Sequence, residues 1–211
     1  MVRRVSILLL LAACSSPAPA SDLNDEILKT LRTYPTDGSY GYHWPKDSSW
    51  EGTTQDLFYR GVKICTGDPQ KRSYCCGLTY EVFVRSHQSL GRESIGTLSV
   101  GQMHELRRRW FGDSTQIPDR RKLVQEALTT MGLGRPVAMD DAKPGDFVQL
   151  WRHNGSGHSA IFLEWVRDGG RIVGITYWSS QKSTGGIGTK TERISPSEVK
   201  ADAIFLARAA R

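Results

Sequence analysis

Apolar residues recur at helical spacing through the first two-thirds of the chain and then give way to short runs of β-forming residues. Ile27, Leu28 and Leu31 form a stripe behind the polar segment Ser21-Asp22-Leu23-Asn24-Asp25-Glu26, which predicts a helix that Pro35 ends. From Pro35 to Ser73 the sequence is rich in Gly, Pro, Asp, Tyr and Trp without a sustained period, and reads as loop with short elements. Cys75 to Leu90 is the next helix, with Leu78, Val82 and Phe83 on one face and Gly91 as its stop. Ser99 is placed to cap a third helix carrying Met103, Leu106 and Trp110. A fourth runs from about Pro118, suited to a first helical position, through Leu123, Ala127, Leu128 and Met131 to Gly132.

Lys143-Pro144-Gly145-Asp146 is a turn by composition, and strands follow it. They are Phe147 to Trp151, Ser159 to Val166 and Ile172 to Trp178, the last two joined by the hairpin signal Asp168-Gly169-Gly170. A final pair is expected near Gly188 to Ile194 and Ala203 to Leu206. Helices first and antiparallel strands second predict an α+β domain.

The first residues stand apart from this body. Met1-Val2-Arg3-Arg4 is a basic head, and Val5 to Ala13 is apolar apart from Ser6, the length of a signal-peptide core and too short to span a bilayer. Residues 1–13 are therefore expected to be a signal peptide. Leu11-Ala12-Ala13-Cys14 resembles the lipobox of bacterial lipoproteins, which implies a lipidated Cys14 and an exported protein anchored to a membrane in the periplasm or cell envelope. An ordinary signal cleaved near Ala18 or Ala20 is the alternative, and Arg3-Arg4 fits a twin-arginine signal poorly. Residues 14–20, rich in Ser, Pro and Ala, read as a tether, and residues 21–211 as one domain, since a chain of 211 residues hardly has room for two.

Charge narrows the partners. Without Arg3 and Arg4 the formal charge falls from +6 to +4, a mild excess that suits an anionic wall or membrane. No concentrated basic tract of the nucleic-acid-binding kind is present, and Arg107-Arg108-Arg109 is expected to be a solvated helix face. The expected partners are a peptide or peptidoglycan substrate and, through the anchor, a membrane; the protein is expected to be a monomer without a cofactor.

With Cys14 assigned to the lipobox, Cys65, Cys75 and Cys76 remain. An odd number of thiols in an oxidising compartment suggests one disulfide and one functional thiol. Adjacent cysteines rarely bridge each other, so Cys65 is expected to pair with Cys75 or Cys76. In Tyr74-Cys75-Cys76-Gly77-Leu78 a cysteine sits at the first turn of a predicted helix, where unpaired backbone N–H groups and the helix dipole favour a thiolate. In Gly157-His158-Ser159-Ala160-Ile161-Phe162-Leu163 a histidine opens a strand. An imidazole beside a thiol can take its proton and later deliver one to a leaving amine.

These segments resemble the NlpC-type cysteine peptidases, with the CHAP amidases close to them. Cys75, Gly77, Leu78, Val82 and Phe83 match the family's nucleophile motif in register. Pro144-Gly145-Asp146-Phe147-Val148 matches its P-G-D turn, and His158, Ile161, Phe162 and Leu163 its histidine strand. The matched motifs cover about a third of the mature chain. The resemblance implies a papain-like fold, with N-terminal helices and a catalytic cysteine at a helix start packed on a C-terminal antiparallel sheet. It implies Cys75 as nucleophile, His158 as base and then acid, and Cys76 as the partner left for Cys65. The rival assignment has Cys76 as nucleophile and a Cys65–Cys75 bridge.

Departures from the family pattern are plain as well. Tyr74 replaces its aspartate, and the insertion between nucleophile and histidine is long. The third polar member, which orients the base from the next strand, falls to Gln181, with Ser179 also near in register. Tyr59 is the candidate for holding the oxyanion, and Tyr42 stands second. His153 with Cys75 and Cys76 does not have the spacing of a zinc site, so no metal is expected. Of the six tryptophans, Trp110 and Trp165 fit core positions, and Trp44 and Trp50 fit a substrate groove. The expected activity is hydrolysis of amide bonds in peptidoglycan peptides. An acyltransferase on the same Cys–His pair, or a non-catalytic wall-binding lipoprotein, are the rival readings.

Overall fold

A computed structural model describes residues 23–44, 50–91, 95–116 and 119–211. The expected signal peptide, Cys14, the tether and Pro118 lie outside the described residues. Among the described residues there are four α-helices and eight strands: α1 (Asn24–Leu31), β1 (Leu57–Tyr59), β2 (Val62–Cys65), α2 (Cys75–Gln88), α3 (Val100–Phe111), α4 (Leu123–Thr130), β3 (Gly134–Val137), β4 (Phe147–Arg152), β5 (Gly157–Asp168), β6 (Arg171–Gln181), β7 (Gly186–Arg193) and β8 (Val199–Ala209). β1 and β2 form a small hairpin, and the other strands form one antiparallel sheet in the order β3-β8-β4-β5-β6-β7. This is the expected α+β arrangement.

Alternation along the strands divides the interior between the two faces of the sheet. Phe147, Ile161 and Trp178 face the helices and join Leu78, Val82, Phe83, Leu106, Trp110 and Leu128 in the larger core. Their neighbours Val148, Ala160, Phe162, Tyr177 and Leu206 pack in a second, smaller core on the other face. Burying some 25 cal/mol per Å² of apolar surface is what holds α2 against the sheet. Trp110 is fully buried as expected, and its indole Nε1 donates to Thr79 Oγ1 at 3.1 Å. Trp165 packs on Phe162 at the margin of the smaller core and donates to the Met139 carbonyl.

Ser99 caps α3 through a reciprocal box with Gln102, and Gly112, in the left-handed region at φ 82°, ends it. The expected fourth helix is two pieces: a 3-10 turn over Arg120–Lys122 capped by Asp119, then α4. β3, which the sequence pattern does not announce, tolerates Pro136 because it pairs only with β8 and is an edge strand. The Pro144-Gly145-Asp146 turn has a structural task. Asp146 is fully buried, takes two hydrogen bonds from Arg208 at 2.7 and 2.8 Å, and also accepts from Asn24 and the Lys143 N–H. One carboxylate thereby joins α1, the turn and the last strand. Arg107, Arg108 and Arg109 are held by carboxylates, the first by Glu51 and the other two by Glu105.

Candidate active site

Three segments distant in sequence fix the start of α2. Tyr74, the residue before the helix, is extended (φ −132°, ψ 168°) and offers no side-chain cap. The segment in front of it is held by hydrogen bonds from Ser73 N to the Gly41 carbonyl, and to the Ser73 carbonyl from His43 N and Ser180 Oγ. The loop around Glu51 and Gly52 presses on the first turn: a Cβ on Gly77 would lie 2.3 Å from the Gly52 backbone, and one on Gly52 would lie 2.2 Å from the Tyr74 ring. Gly52 is also at φ +76°, so both positions require glycine. Deeper in α2 the buried Glu81 anchors the same loop, accepting from Thr54 N, Thr54 Oγ1, Gln55 Nε2 and Tyr34 Oη.

This frame brings Cys75 and His158 together. The half-buried Cys75 thiol lies within hydrogen-bonding reach of the His158 side chain and of the Ser159 backbone N–H at the start of β5. The Cys76 thiol lies next to it. Burial opposes the charge, but the hydrogen bonds from Cys76, His158 and Ser159 and the charge of His158 hold the Cys75 thiol well below the usual range. Cys76 is shifted the other way, by its hydrogen bond to Cys75, by burial and by the Cys75 charge. Of the two adjacent cysteines, Cys75 is the one that meets the imidazole.

The expected Cys65–Cys76 disulfide is not formed; all three thiols are free. Cys65 ends β2 opposite Leu57, buried in the core, where burial and the Glu51 carboxylate push its thiol far up. Cys76 turns its thiol to Cys75 instead. A bridge needs Cβ vectors that converge, and these two side chains have other partners.

Tyr59 does not reach the site. Its hydroxyl donates to the Leu98 carbonyl at 2.7 Å and accepts from Ile95 N at 3.2 Å. With Phe58, Val84 and Gln88 it lines a cavity of about 300 Å³ beside the last turns of α2, at the opposite end from Cys75. Tyr42, the second candidate, is beside Cys75. A parallel bridge between Tyr42 and Ser73 carries it there, and burial and the charges of Cys75 and Cys76 raise its phenol.

Gln181 ends β6 and is buried, its Oε1 3.1 Å from the Tyr177 hydroxyl. Ser179, the other residue near in register, spends its hydroxyl on the Ser159 carbonyl. Trp44, 56% exposed, leans on Tyr74 at 4.4 Å, and the buried Trp50 lies between Tyr74 and a stacked His43. In front of α2 the chain thus presents an aromatic floor. His153 is exposed in the turn after β4, and no group of three ligating side chains able to hold a metal converges among the described residues.

The linear pattern missed Arg152 and Glu192. Arg152 on β4 donates to Glu192 on β7 through Nε at 2.7 Å, and the Tyr177 hydroxyl donates to the same carboxylate. Burial opposes ionisation of Glu192, but the hydrogen bonds from Arg152 and Tyr177 hold it at about 2. Compared with family models, curated proteins and solved structures, the chain finds no match in any of the three.

Proposed function

We propose that this protein is a papain-like cysteine hydrolase of the NlpC type that cleaves amide bonds in peptidoglycan peptides. The observation that carries the reading is the depressed Cys75 thiol within reach of His158 at the start of a long helix. The Cys75 thiolate attacks the amide carbonyl, and the carbonyl oxygen gathers negative charge as the C–S bond forms. Backbone N–H groups of the first turn of α2, which no side chain caps, and the Tyr42 phenol stabilise that charge. His158 delivers its proton to the leaving amine as the C–N bond breaks, then takes one from the water that hydrolyses the thioester and restores the thiolate. Gln181 orients His158 from the neighbouring strand. The aromatic floor of Trp44 and Tyr74 supplies a surface for a wall fragment, and the signal-like N-terminus and lipobox resemblance favour an envelope substrate.

Incubating the purified protein with peptidoglycan and following new amine ends by mass spectrometry tests the reading. Release is expected from the wild type, and no release beyond that of Cys75→Ala overturns it. Near neutral pH, iodoacetamide is expected to alkylate Cys75 first and spare Cys76 and Cys65, whose thiols are pushed up. Peptide mapping after brief exposure checks the order.

A further inference from the structure

The reaction sketched above leaves a buried polar chain unused. Arg152 on β4, Tyr177 on β6 and Glu192 on β7 meet at one carboxylate, and Lys190 stands 3.4 Å from it. Arg152 Nη2 also donates to the Tyr177 oxygen at 3.4 Å. As a carboxylate, Glu192 only accepts hydrogen bonds, so the Tyr177 hydrogen is committed to it.

A phenol has one hydrogen, and this decides the orientation of Gln181. With the Tyr177 hydrogen on Glu192, Gln181 Oε1 at 3.1 Å would set lone pairs against lone pairs. At the other end of the same amide, Gln181 Nε2 is buried without a partner, and so is His158 Nε2. The two ends of a carboxamide have the same shape, so a half-turn exchanges them and disturbs no neighbour. The Gln181 nitrogen then donates to Tyr177, whose oxygen gives one hydrogen bond and accepts two. The Gln181 oxygen becomes free to accept from His158. Strand pairing supports the match: Ile161 lies opposite Trp178 and Phe162 opposite Tyr177, and the same register carried to the strand ends sets His158 opposite Gln181. The His158 and Tyr177 rings are 5.4 Å apart.

We propose that Tyr177, held by Glu192 and Arg152, is a positioning residue that fixes the Gln181 amide with its oxygen toward the Nε2–H of His158, leaving Nδ1 for Cys75. The inference rests on the cysteine-hydrolase reading and deepens it. An acceptor at Nε2–H fixes the tautomer and the orientation of the ring, so that Nδ1 faces the thiol. The other titratable and charged groups around this centre are Tyr42, Tyr74 in front of α2, Cys75 and Cys76 on α2, Arg152 on β4, and Glu192 and Lys190 on β7.

The full chain is compared as wild type, Tyr177→Phe, Gln181→Ala and the double variant, by kcat and KM on wall peptides and by the pH profile of Cys75 alkylation with iodoacetamide. Tyr177→Phe is expected to lower kcat about 10- to 100-fold with little change in KM, as removal of outer-shell partners of a functional histidine does at metal sites. It is also expected to move the onset of fast alkylation to higher pH, since the thiolate is held less well. The double variant is expected to be no slower than Gln181→Ala. Additive losses, or a wild-type pH profile in Tyr177→Phe, overturn the proposal. If Tyr177→Phe does not fold, Glu192→Gln takes its place and must move the onset of alkylation in the same direction; an unchanged profile overturns the proposal. A wild-type Cys75 that reacts no faster than a free thiol sinks the hydrolase reading itself. A fast wild type with an unaltered profile in the variant sinks only the role of Tyr177.

Discussion

Two arginine–carboxylate assemblies are buried in the same sheet, and they end differently. Asp146 and Arg208 match charge to charge: the carboxylate takes two guanidinium hydrogen bonds and two more from Asn24 and Lys143 N, joining the first helix to the last strand, while Asn24 Oδ1 stays buried without a partner. Glu192 and Arg152 pass on through Tyr177 to Gln181 and stop short of His158, where two buried nitrogens lack partners. A cluster whose two charges meet each other does its work by holding elements in place, and removing either charge is costly. A cluster with an open end does its work at that end. The difference separates a clamp from a positioning device, although both have the same two kinds of side chain.

The largest expected effect falls on the clamp. Asp146→Ala should destabilise the protein by about 3–5 kcal/mol, because Arg208 is left buried without its counter-charge, while the turnover of the remaining folded molecules stays near that of the wild type. Urea denaturation and active-site titration check the two halves. A folded Asp146→Ala protein without activity would erase the distinction.

The second effect is a pH dependence of stability. Glu192 is held at about 2 in the fold against an ordinary 4.5, so its contribution is complete above about 4.5 and is lost as the pH falls toward 2. Glu192→Gln should lack that acid limb while losing activity at neutral pH. Melting curves between pH 2 and 7 check it, and parallel curves for the two proteins would show that Glu192 does not act as a carboxylate.

The smallest effect belongs to Tyr59→Phe. Removing the hydroxyl between Leu98 O and Ile95 N should cost about 1 kcal/mol, with kcat and KM unchanged. Calorimetry and steady-state assays check it. A large loss of activity would return Tyr59 to the reacting centre.

Local signals were legible wherever the chain itself carries them. The start of α2 at Cys75, the Ser99 cap and the order of helices before strands follow from spacing and capping chemistry that a dozen residues contain. The sequence put Tyr59 ahead of Tyr42 and the structure reverses them, because a bridge to Ser73 decides which tyrosine meets the cysteine, and no spacing encodes that bridge. Counting thiols predicted a disulfide, yet Cys65, Cys75 and Cys76 stay free, because a count of thiols carries no information on where the fold sets their side chains. Arg152, Tyr177 and Glu192 sit on three strands and converge only through pairing register, so no window of sequence contains them together. β3 went unread because four residues with a proline carry almost no strand signal.

The interlock of Gly77, Gly52 and Tyr74 also has a meaning in time. The surroundings of Cys75 are shaped by segments 41–43 and 51–52 before it and by Ser180 and Ser159 more than eighty residues after it. A nascent or partly unfolded chain therefore carries an ordinary thiol, and reactivity arrives only when β5 and β6 have closed over the helix. The hydrolase reading then describes a protein that is chemically silent until assembly is complete, with its own folding as the safety catch.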